Sequence, residues 1–529
     1  MEVPLLVNDF LRRAAKLYPN KVAVVDAGRR YTYGDFQERV NRLARALLDK
    51  GVGRGDRVCI LSPNSHFFLE AFYAVPQIGA VLVPLNFRLL AADHEYIINH
   101  SGVKLVIADR EYTNVVDEIR GNLSTVQHYL SAWDGGDPPT GWQDLETLTA
   151  QQEGGSTPAV DLDENDLLSI NYTSGTTSRP KGVMLTHRNV YINAYNFIAH
   201  AGIRHDDVEL WTLPMFHANG WGGPYALTAV AATHVVLRTV DGAEIFRLIE
   251  NEGVTFACMA PAVLNTILNY PDRDGHDVRT KPRFMVAGAP PPAAFIKRLE
   301  EEIGWEFIQI YGLTETAPIL TISRPDHNLE AEGGGDPYQR RARAGVDAIG
   351  VEVQVLDSEG NPVPMDDQSI GEVCARSNVV LKGYWEDPEA TANAIRDGYF
   401  HTGDLATWDR FGNVNIVDRQ KDVIISCGEN ISSAEVEGAL YKHPAVVECA
   451  VVGVPSEKWG ETPRALVVLK DGASASEEEV VSFARENLAH FKCPSGVDFV
   501  DALPRTATGK IQKFLIREKY WKGVERRVN

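Results

Sequence analysis

Residues 167–185 read Leu-Leu-Ser-Ile-Asn-Tyr-Thr-Ser-Gly-Thr-Thr-Ser-Arg-Pro-Lys-Gly-Val-Met-Leu. The apolar run Leu167–Ile170 leads in and Val183–Leu185 follows, so the spacing predicts a strand, a loop and a second strand. Between them stand five aliphatic hydroxyls (Thr173, Ser174, Thr176, Thr177 and Ser178), with Gly175 and Gly182. Small residues let backbone N–H groups converge on an anion, and the hydroxyls add donors. Lys181 supplies a point charge of the kind that meets phosphate. The pattern implies a polyphosphate loop, against the plainer alternative of a polar surface turn. It is not the common phosphate loop, in which Gly-Lys is followed by Ser or Thr opening a helix. Here Lys181 follows Pro180 and precedes Gly182.

Outward from the loop, helix and strand patterns alternate. Asn8–Leu17 and Thr32–Lys50 have helical spacing, and Arg57–Leu61 and Ala80–Pro84 read as strands. Such alternation predicts layered α/β structure. The Gly-, Pro-, Asp- and Gln-rich stretch Ala132–Asp166 reads as a connecting loop, and Arg324–Gly345 is irregular and charged. Val351–Leu356, Gly371–Ala375 and Val379–Tyr384 are short strand-like pieces that suggest a small β subdomain, about 345–418. A last boundary falls near Asp418–Lys421. Beyond it Val447–Val454 and Ala465–Lys470 look like strands, and Ser476-Glu-Glu-Glu479 is a capping box opening a helix. The expected fold class is α/β. A large N-terminal region, 1–418, has layered α/β subdomains and the small β subdomain. A hinge at 419–421 joins it to a separate small mobile α+β domain, 422–529.

At 529 residues, several such units are expected from about 150 residues each. The 52 basic and 72 acidic residues give a net charge of −20, which repels nucleic acid and anionic membranes at long range. No apolar run approaches the roughly 18 residues of a membrane-spanning helix. The start Met-Glu-Val-Pro has no secretory pattern and the end Arg-Val-Asn is no peroxisomal Ser-Lys-Leu. The six cysteines form no C-x-x-C pair, which argues against zinc or a disulfide framework and suits a reducing cytoplasm. From Lys510 to Arg527 the chain has seven basic and two acidic residues, expected on a solvated helical face.

Further motifs follow in order: Pro214-Met-Phe-His-Ala-Asn-Gly-Trp221, Gly288-Ala-Pro290, Gln309-Ile-Tyr-Gly-Leu-Thr-Glu-Thr316 and Tyr399-Phe-His-Thr-Gly-Asp404. Then come Asp418-Arg-Gln-Lys-Asp-Val-Ile424, Gly428-Glu-Asn-Ile-Ser432 and Pro504-Arg-Thr-Ala-Thr-Gly-Lys510. Together, from Phe10 to Tyr520, they resemble the adenylate-forming superfamily, which includes acyl-CoA and aryl-CoA synthetases, peptide-synthetase adenylation domains and firefly luciferase. The resemblance implies ATP, Mg²⁺ and coenzyme A, with a small-molecule carboxylic acid as the other substrate. The acidic charge and the lack of a long apolar run lead us to expect no nucleic-acid partner and no stable membrane insertion; a homodimer is the family-level expectation.

The same resemblance assigns roles. Thr173, Ser174, Gly175, Thr176, Thr177 and Lys181 meet the β- and γ-phosphates. Most relatives have glycine where this chain has Ser178, which bears on the mobility of the loop. Gly288, Ala289 and Pro290 lie beside the purine; Gln309, Tyr311 and Gly312 belong to the adenine segment, with Tyr311 stacking on the base. Thr314 and Glu315 meet the α-phosphate and Mg²⁺, with Thr173 near the metal. Asp404 and Arg419 take the ribose. Lys421 is the hinge, and Lys510 contacts carboxylate and α-phosphate during adenylation. His217, Ala218, Asn219, Gly220 and Trp221 line the acyl pocket, and Gly428, Glu429 and Asn430 face the coenzyme A tunnel. The run Gly222-Gly223-Pro224 has no side-chain bulk and is expected to admit an alkyl chain.

The activity implied is an acid–CoA ligase for a short- to medium-chain fatty acid. Alternatives left open are a benzoate- or cinnamate-type aryl-CoA ligase, an adenylation enzyme with a carrier-protein acceptor, and an inactive nucleotide-binding interaction protein.

Overall fold

The computed structural model describes residues 1–132, 137–156, 160–173, 179–288, 291–324, 335–419, 422–426, 429–456, 459–505 and 511–522; of Ala218, Asn219, Ile425, Glu429, Asn430, Gly460 and Phe491 only the backbone is described. Two large sheets dominate the first 385 residues. One runs in the order Val346–Asp347, Ile319–Ser323, Glu306–Gly312, Arg283–Val286, Phe256–Met259, Val208–Trp211, Thr233–Val236, Val22–Asp26, Arg29–Thr32. Its middle is parallel and its edges antiparallel. The other runs Gly383–Tyr384, Lys181–Thr186, Leu167–Thr173, Val81–Leu85, Arg57–Leu61, Val103–Asp109, His128–Ala132, Gln143–Asp144.

Between these sheets lies helix His66–Gln77, whose sequence Phe-Phe-Leu-Glu-Ala-Phe-Tyr-Ala-Val is apolar nearly all round, and these residues are buried. A helix without a polar face has to be an interior one. Ser65 caps it by accepting the Phe68 N–H at 3.2 Å. Helices His187–Ala201 and Gly223–Ala229 complete the same core.

A third sheet contains Val351–Leu356, Gly371–Ser377, Tyr399–Trp408 and Ile395–Arg396, with Val414–Arg419 on the far side of Tyr399–Trp408. A fourth contains Glu429–Ile431, Ile424–Ser426, Gly460–Leu469 and Val446–Ser456, with Val497–Phe499 parallel to Gly460–Leu469. It has its own core around Val436, Val451, Val467 and Val480. The capping box at Ser476 and Glu479 is formed and opens helix Glu477–Asn487.

The two strands predicted on either side of residue 175 are present: Leu167–Thr173 pairs antiparallel with Lys181–Thr186. Asn8–Leu17 is a helix, and Thr32 is the cap of helix Tyr33–Asp49, its hydroxyl accepting the Asp35 N–H at 3.1 Å. Two expectations need correction. Within Ala132–Asp166 a short helix, Leu145–Ala150, buries Leu145 and Thr149 behind the cap Asp144. Six residues are too few for a periodic signal. In Val379–Tyr384 only Gly383–Tyr384 is extended, and it joins Lys181–Thr186 rather than the small β sheet. The Leu381 N–H goes to Glu315 O at 2.7 Å and the Lys382 N–H to Met184 O at 3.0 Å, so the donors of this segment serve two other layers.

Candidate active site

The carboxyl end of strand Glu306–Gly312 is where three sheets meet. Ligands in mostly parallel α/β sheets gather outside such ends. The strand is buried continuously from Phe307 to Ile310, Gln309 included, and Tyr311 lies half-buried where it reaches the rim. The Tyr311 hydroxyl donates to Asp404 Oδ2 at 2.8 Å, tying the large sheet to strand Tyr399–Trp408. Burial, then the Asp404 charge, pushes the Tyr311 phenol well above its usual range, so it stays a donor. Arg419 is the strand partner of Asp404, with its Nε 3.3 Å from Asp404 Oδ1. Asp404 is 8% exposed at its side chain and Arg419 is 46% exposed, so the pair opens outward on the arginine side.

Glu372, which the sequence did not single out, holds this corner in place. Its Oε1 accepts the Gly403 N–H at 2.9 Å and its Oε2 lies 2.8 Å from His401 Nδ1. Thr402 donates to Val373 O at 2.7 Å, and its hydroxyl accepts the Asp404 N–H at 3.1 Å. The backbone that carries Asp404 is therefore fixed by Glu372 and Val373 on one strand and His401, Thr402 and Gly403 on the other.

The second half of the site surrounds Glu315. Leu313, Thr314 and Glu315 follow Gly312, where a β-carbon would stand 1.6 Å from Pro318 O; only glycine allows the chain to fold back so tightly. Tyr384 donates to Glu315 Oε1 at 3.0 Å, and burial followed by the Glu315 charge raises its phenol. Lys181 Nζ lies 5.1 Å from the centre of the Tyr384 ring, within cation–π range. Thr173 is the strand partner of Lys181. Thr173, Lys181, Tyr384 and Glu315 therefore form one continuous wall. Tyr384 gave no sequence signal, because its role depends on the pairing of Gly383–Tyr384 with Lys181–Thr186.

His217, Gly220 and Trp221 lie in a 3₁₀ turn, His217–Gly222. Its approach is pinned by buried Asn64, which donates to Trp211 O at 2.8 Å and Leu213 O at 2.9 Å and accepts from Met215 N–H at 2.7 Å. The turn contains three successive left-handed residues, Gly220, Trp221 and Gly222, at φ 57°, 57° and 80°. A left-handed tryptophan costs on the order of 1–2 kcal/mol. Asn193 Nδ2 offsets this by donating to Trp221 O at 3.1 Å. The expected room beside Gly222 and Gly223 is smaller than the bare sequence suggests. A β-carbon at Gly222 would meet Asn193 Nδ2 at 2.3 Å, and one at Gly223 would meet the Trp211 ring at 3.2 Å. The glycines admit these neighbours.

Gly288 is exposed at φ 96°. Ser174, Gly175, Thr176, Thr177, Ala289, Pro290, Lys421, Gly428 and Lys510 lie outside the described residues, as do the side chains of Ala218, Asn219, Glu429 and Asn430. The basic tail departs from expectation. Lys513 is partly buried, 2.9 Å from Glu437, and Arg517 lies 2.6 Å from Asp422 with both side chains about nine-tenths buried. These two cations fasten helix Lys513–Trp521 to the small domain instead of facing water.

The chain belongs to the adenylate-forming enzymes. Residues 11–385 match the family model described as AMP-binding enzyme, and residues 435–510 match the AMP-binding enzyme C-terminal domain. The chain is an acid–CoA ligase by its relatives. It is 40% identical to 4-hydroxybutyrate–CoA ligase 2 of Metallosphaera sedula, over 98% of this chain and 94% of that protein. It is 36% identical to the peroxisomal benzoate–CoA ligase of Arabidopsis thaliana, over 98% and 93%. Among solved structures, an anthranilate CoA ligase, AuaEII, in complex with anthranoyl-AMP superposes with a TM-score of 0.89 at 27% identity, covering 98% of each chain. ATP and coenzyme A are its co-substrates, and among the described residues no helix is long and apolar enough to cross a membrane.

Proposed function

We propose that this ligase activates a short- to medium-chain aliphatic acid through two half-reactions at one site. The carboxylate oxygen attacks the α-phosphorus of ATP and pyrophosphate leaves. The thiolate of coenzyme A then attacks the acyl carbonyl and AMP leaves. The observation that carries the residue assignments is the 2.8 Å bond from Tyr311 to Asp404, because it fixes an acidic acceptor beside an aromatic ring at the sheet's carboxyl end. Asp404 is set to accept from the ribose hydroxyls, with Arg419 alongside. Tyr311 offers its ring face to adenine, with Gly288, Ala289, Pro290, Gln309 and Gly312 around the base.

Lys181 and the hydroxyls of Thr173–Thr177 balance the β- and γ-phosphate charge, which is where positioning and electrostatics govern phosphoryl chemistry. Glu315 and Thr173 offer one carboxylate and one hydroxyl, a donor set that suits Mg²⁺ shared with phosphate oxygens and water. When bound, Mg²⁺ supplies charge neutralisation at the phosphates. Thr314 and Lys510 meet the α-phosphate, with Lys510 also holding the attacking carboxylate. His217 and the turn to Trp221 orient the acid. Rotation of the small domain about Lys421 withdraws Lys510 and presents Gly428, Glu429 and Asn430 to the pantetheine arm, which keeps water from the acyl-adenylate. We place the enzyme in the cytoplasm, consistent with five free thiols among the described residues.

The substrate reading draws support from relatives that include ligases for 4-hydroxybutyrate, acetate and 2-methylpropanoate. The aromatic alternative rests on the benzoate and anthranilate ligases. Acyl-CoA formation across acetate to decanoate, with benzoate and cinnamate alongside, separates them. A maximum among aliphatic acids of two to eight carbons is expected; a maximum at benzoate or cinnamate would replace the aliphatic reading.

A further inference from the structure

Strand Val208–Trp211 turns Glu209 and Trp211 toward the core between the two large sheets, where helix Gly223–Ala229 also packs. Glu209 is 1% exposed, and neither of its carboxyl oxygens has a hydrogen-bond partner among the described residues. Buried polar groups are normally paired, so both oxygens call for an occupant. The sheet neighbours cannot supply one. Phe256 has no polar atom, and His234 is fully engaged. The Trp211 Nε1–H donates to His234 Nδ1 at 3.1 Å, and His234 Nε2 meets Thr228 Oγ1 at 3.1 Å. The Cys258 thiol is the polar group beside the carboxyl; its weak contact pulls the acid down a little without making a hydrogen bond of ordinary geometry.

What faces the carboxyl is the bare backbone of Gly223. A β-carbon there would stand 3.6 and 3.8 Å from the two oxygens. Gly223 directly follows the turn His217–Gly222, where Trp221 lies buried. The line of small residues leading away from His217 therefore ends on an acid.

We propose that the Glu209 carboxyl is the polar floor of the acyl site and selects short acids bearing a neutral hydroxyl at the end remote from the reacting carboxylate. This rests on the acyl placement at His217–Trp221 given above. Burial, with some help from Asp207, pushes the Glu209 acid far above its usual range, so it is neutral and presents both an O–H donor and a carbonyl acceptor. A hydroxyl can satisfy both. A plain alkyl end satisfies neither and leaves the buried acid unpaired. A second carboxylate would bring a bare charge against Trp211 and Phe256. Sites that hydrogen-bond a substrate hydroxyl reject the analogue lacking it far better than an apolar pocket rejects one methylene.

The test compares kcat/KM for acyl-CoA formation from butanoate, pentanoate and hexanoate with their 4-, 5- and 6-hydroxy forms. It uses the full chain, Glu209→Gln and Glu209→Leu. At one chain length the unaltered enzyme should favour the hydroxy acid by about tenfold or more. Glu209→Leu should cut that ratio by about tenfold, partly by raising the rate on the plain acid, and Glu209→Gln should fall between. Glu209→Leu should melt no lower than the unaltered chain, since an apolar residue replaces an unpaired acid, so misfolding would not mimic the result. Equal ratios in all three proteins, or a uniform drop on every acid, would overturn the role of Glu209 alone. Inactivity of the unaltered enzyme on both aliphatic series would instead sink the substrate reading beneath it.

Discussion

Where helices Tyr33–Asp49 and His66–Gln77 meet, Arg39 lies 2.5 Å from Glu70 and also reaches Glu146, while His66 Nδ1 stands 2.7 Å from Asp26. At the end of strand Glu306–Gly312, Asp404 lies between Tyr311 and Arg419, and Glu315 beside Tyr384. Both places gather ionisable groups with opposite signs. The first closes on itself: Glu70 is 2% exposed, and each of its carboxylate oxygens meets Arg39. The second opens outward through a half-exposed Arg419 and a lysine that rests on an aromatic ring. A cluster that pairs entirely inside itself is scaffold; one that leaves charge and aromatic surface facing a gap is built for a ligand. Glu209 is a third case, buried like the first and unpaired unlike either.

The contrast breaks most visibly at Lys510. Changing it to alanine should lower acyl-adenylate formation by about a thousandfold while sparing much of thioester formation from supplied acyl-adenylate. Equal loss in both half-reactions would remove the two-conformation assignment. Arg39→Ala should instead cost about 4 kcal/mol of stability, by leaving Glu70 and Glu146 without their partner, with KM for ATP unchanged. Urea unfolding alongside ATP kinetics reads both.

The same scaffold cluster should give stability a pH slope. Burial alone would lower His66, but its bonds to Asp26 and Glu146 override that and hold it up at about 9. The folded value lies above the ordinary 6.5, so its contribution is complete below about 6.5 and is lost as pH rises through about 9. At most about 3 kcal/mol should disappear over that window. His66→Gln should flatten the slope; an unchanged slope would mean that His66 is not the titrating group. The smallest effect is expected from Tyr311→Phe, which removes one hydrogen bond to Asp404 and should raise KM for ATP about tenfold or less. An unaltered KM would detach Asp404 from nucleotide binding.

Much of this molecule was legible in its sequence, where local patterns decide structure. Leu167–Leu185 announced its two strands, Thr32 and Ser476 announced their helices, and the motif order announced the family. What stayed hidden depends on pairing between distant segments. Tyr384 reaches Glu315 only because Gly383–Tyr384 crosses to another sheet, and Glu372 bonds Gly403 from a neighbouring strand. Lys513 and Arg517 looked solvated because nothing local says that Glu437 and Asp422 face them. Nothing local in the sequence marks Glu209, and its burial follows only from which face of the strand meets helix Gly223–Ala229.

The most direct test of the central claim uses an acid labelled with ¹⁸O in both carboxylate oxygens, supplied with ATP and coenzyme A. If the carboxylate attacks the α-phosphorus, one labelled oxygen must appear in the phosphate of AMP while the other remains in the acyl-CoA. Label in pyrophosphate or in free phosphate, or AMP carrying none, would contradict an acyl-adenylate at this site.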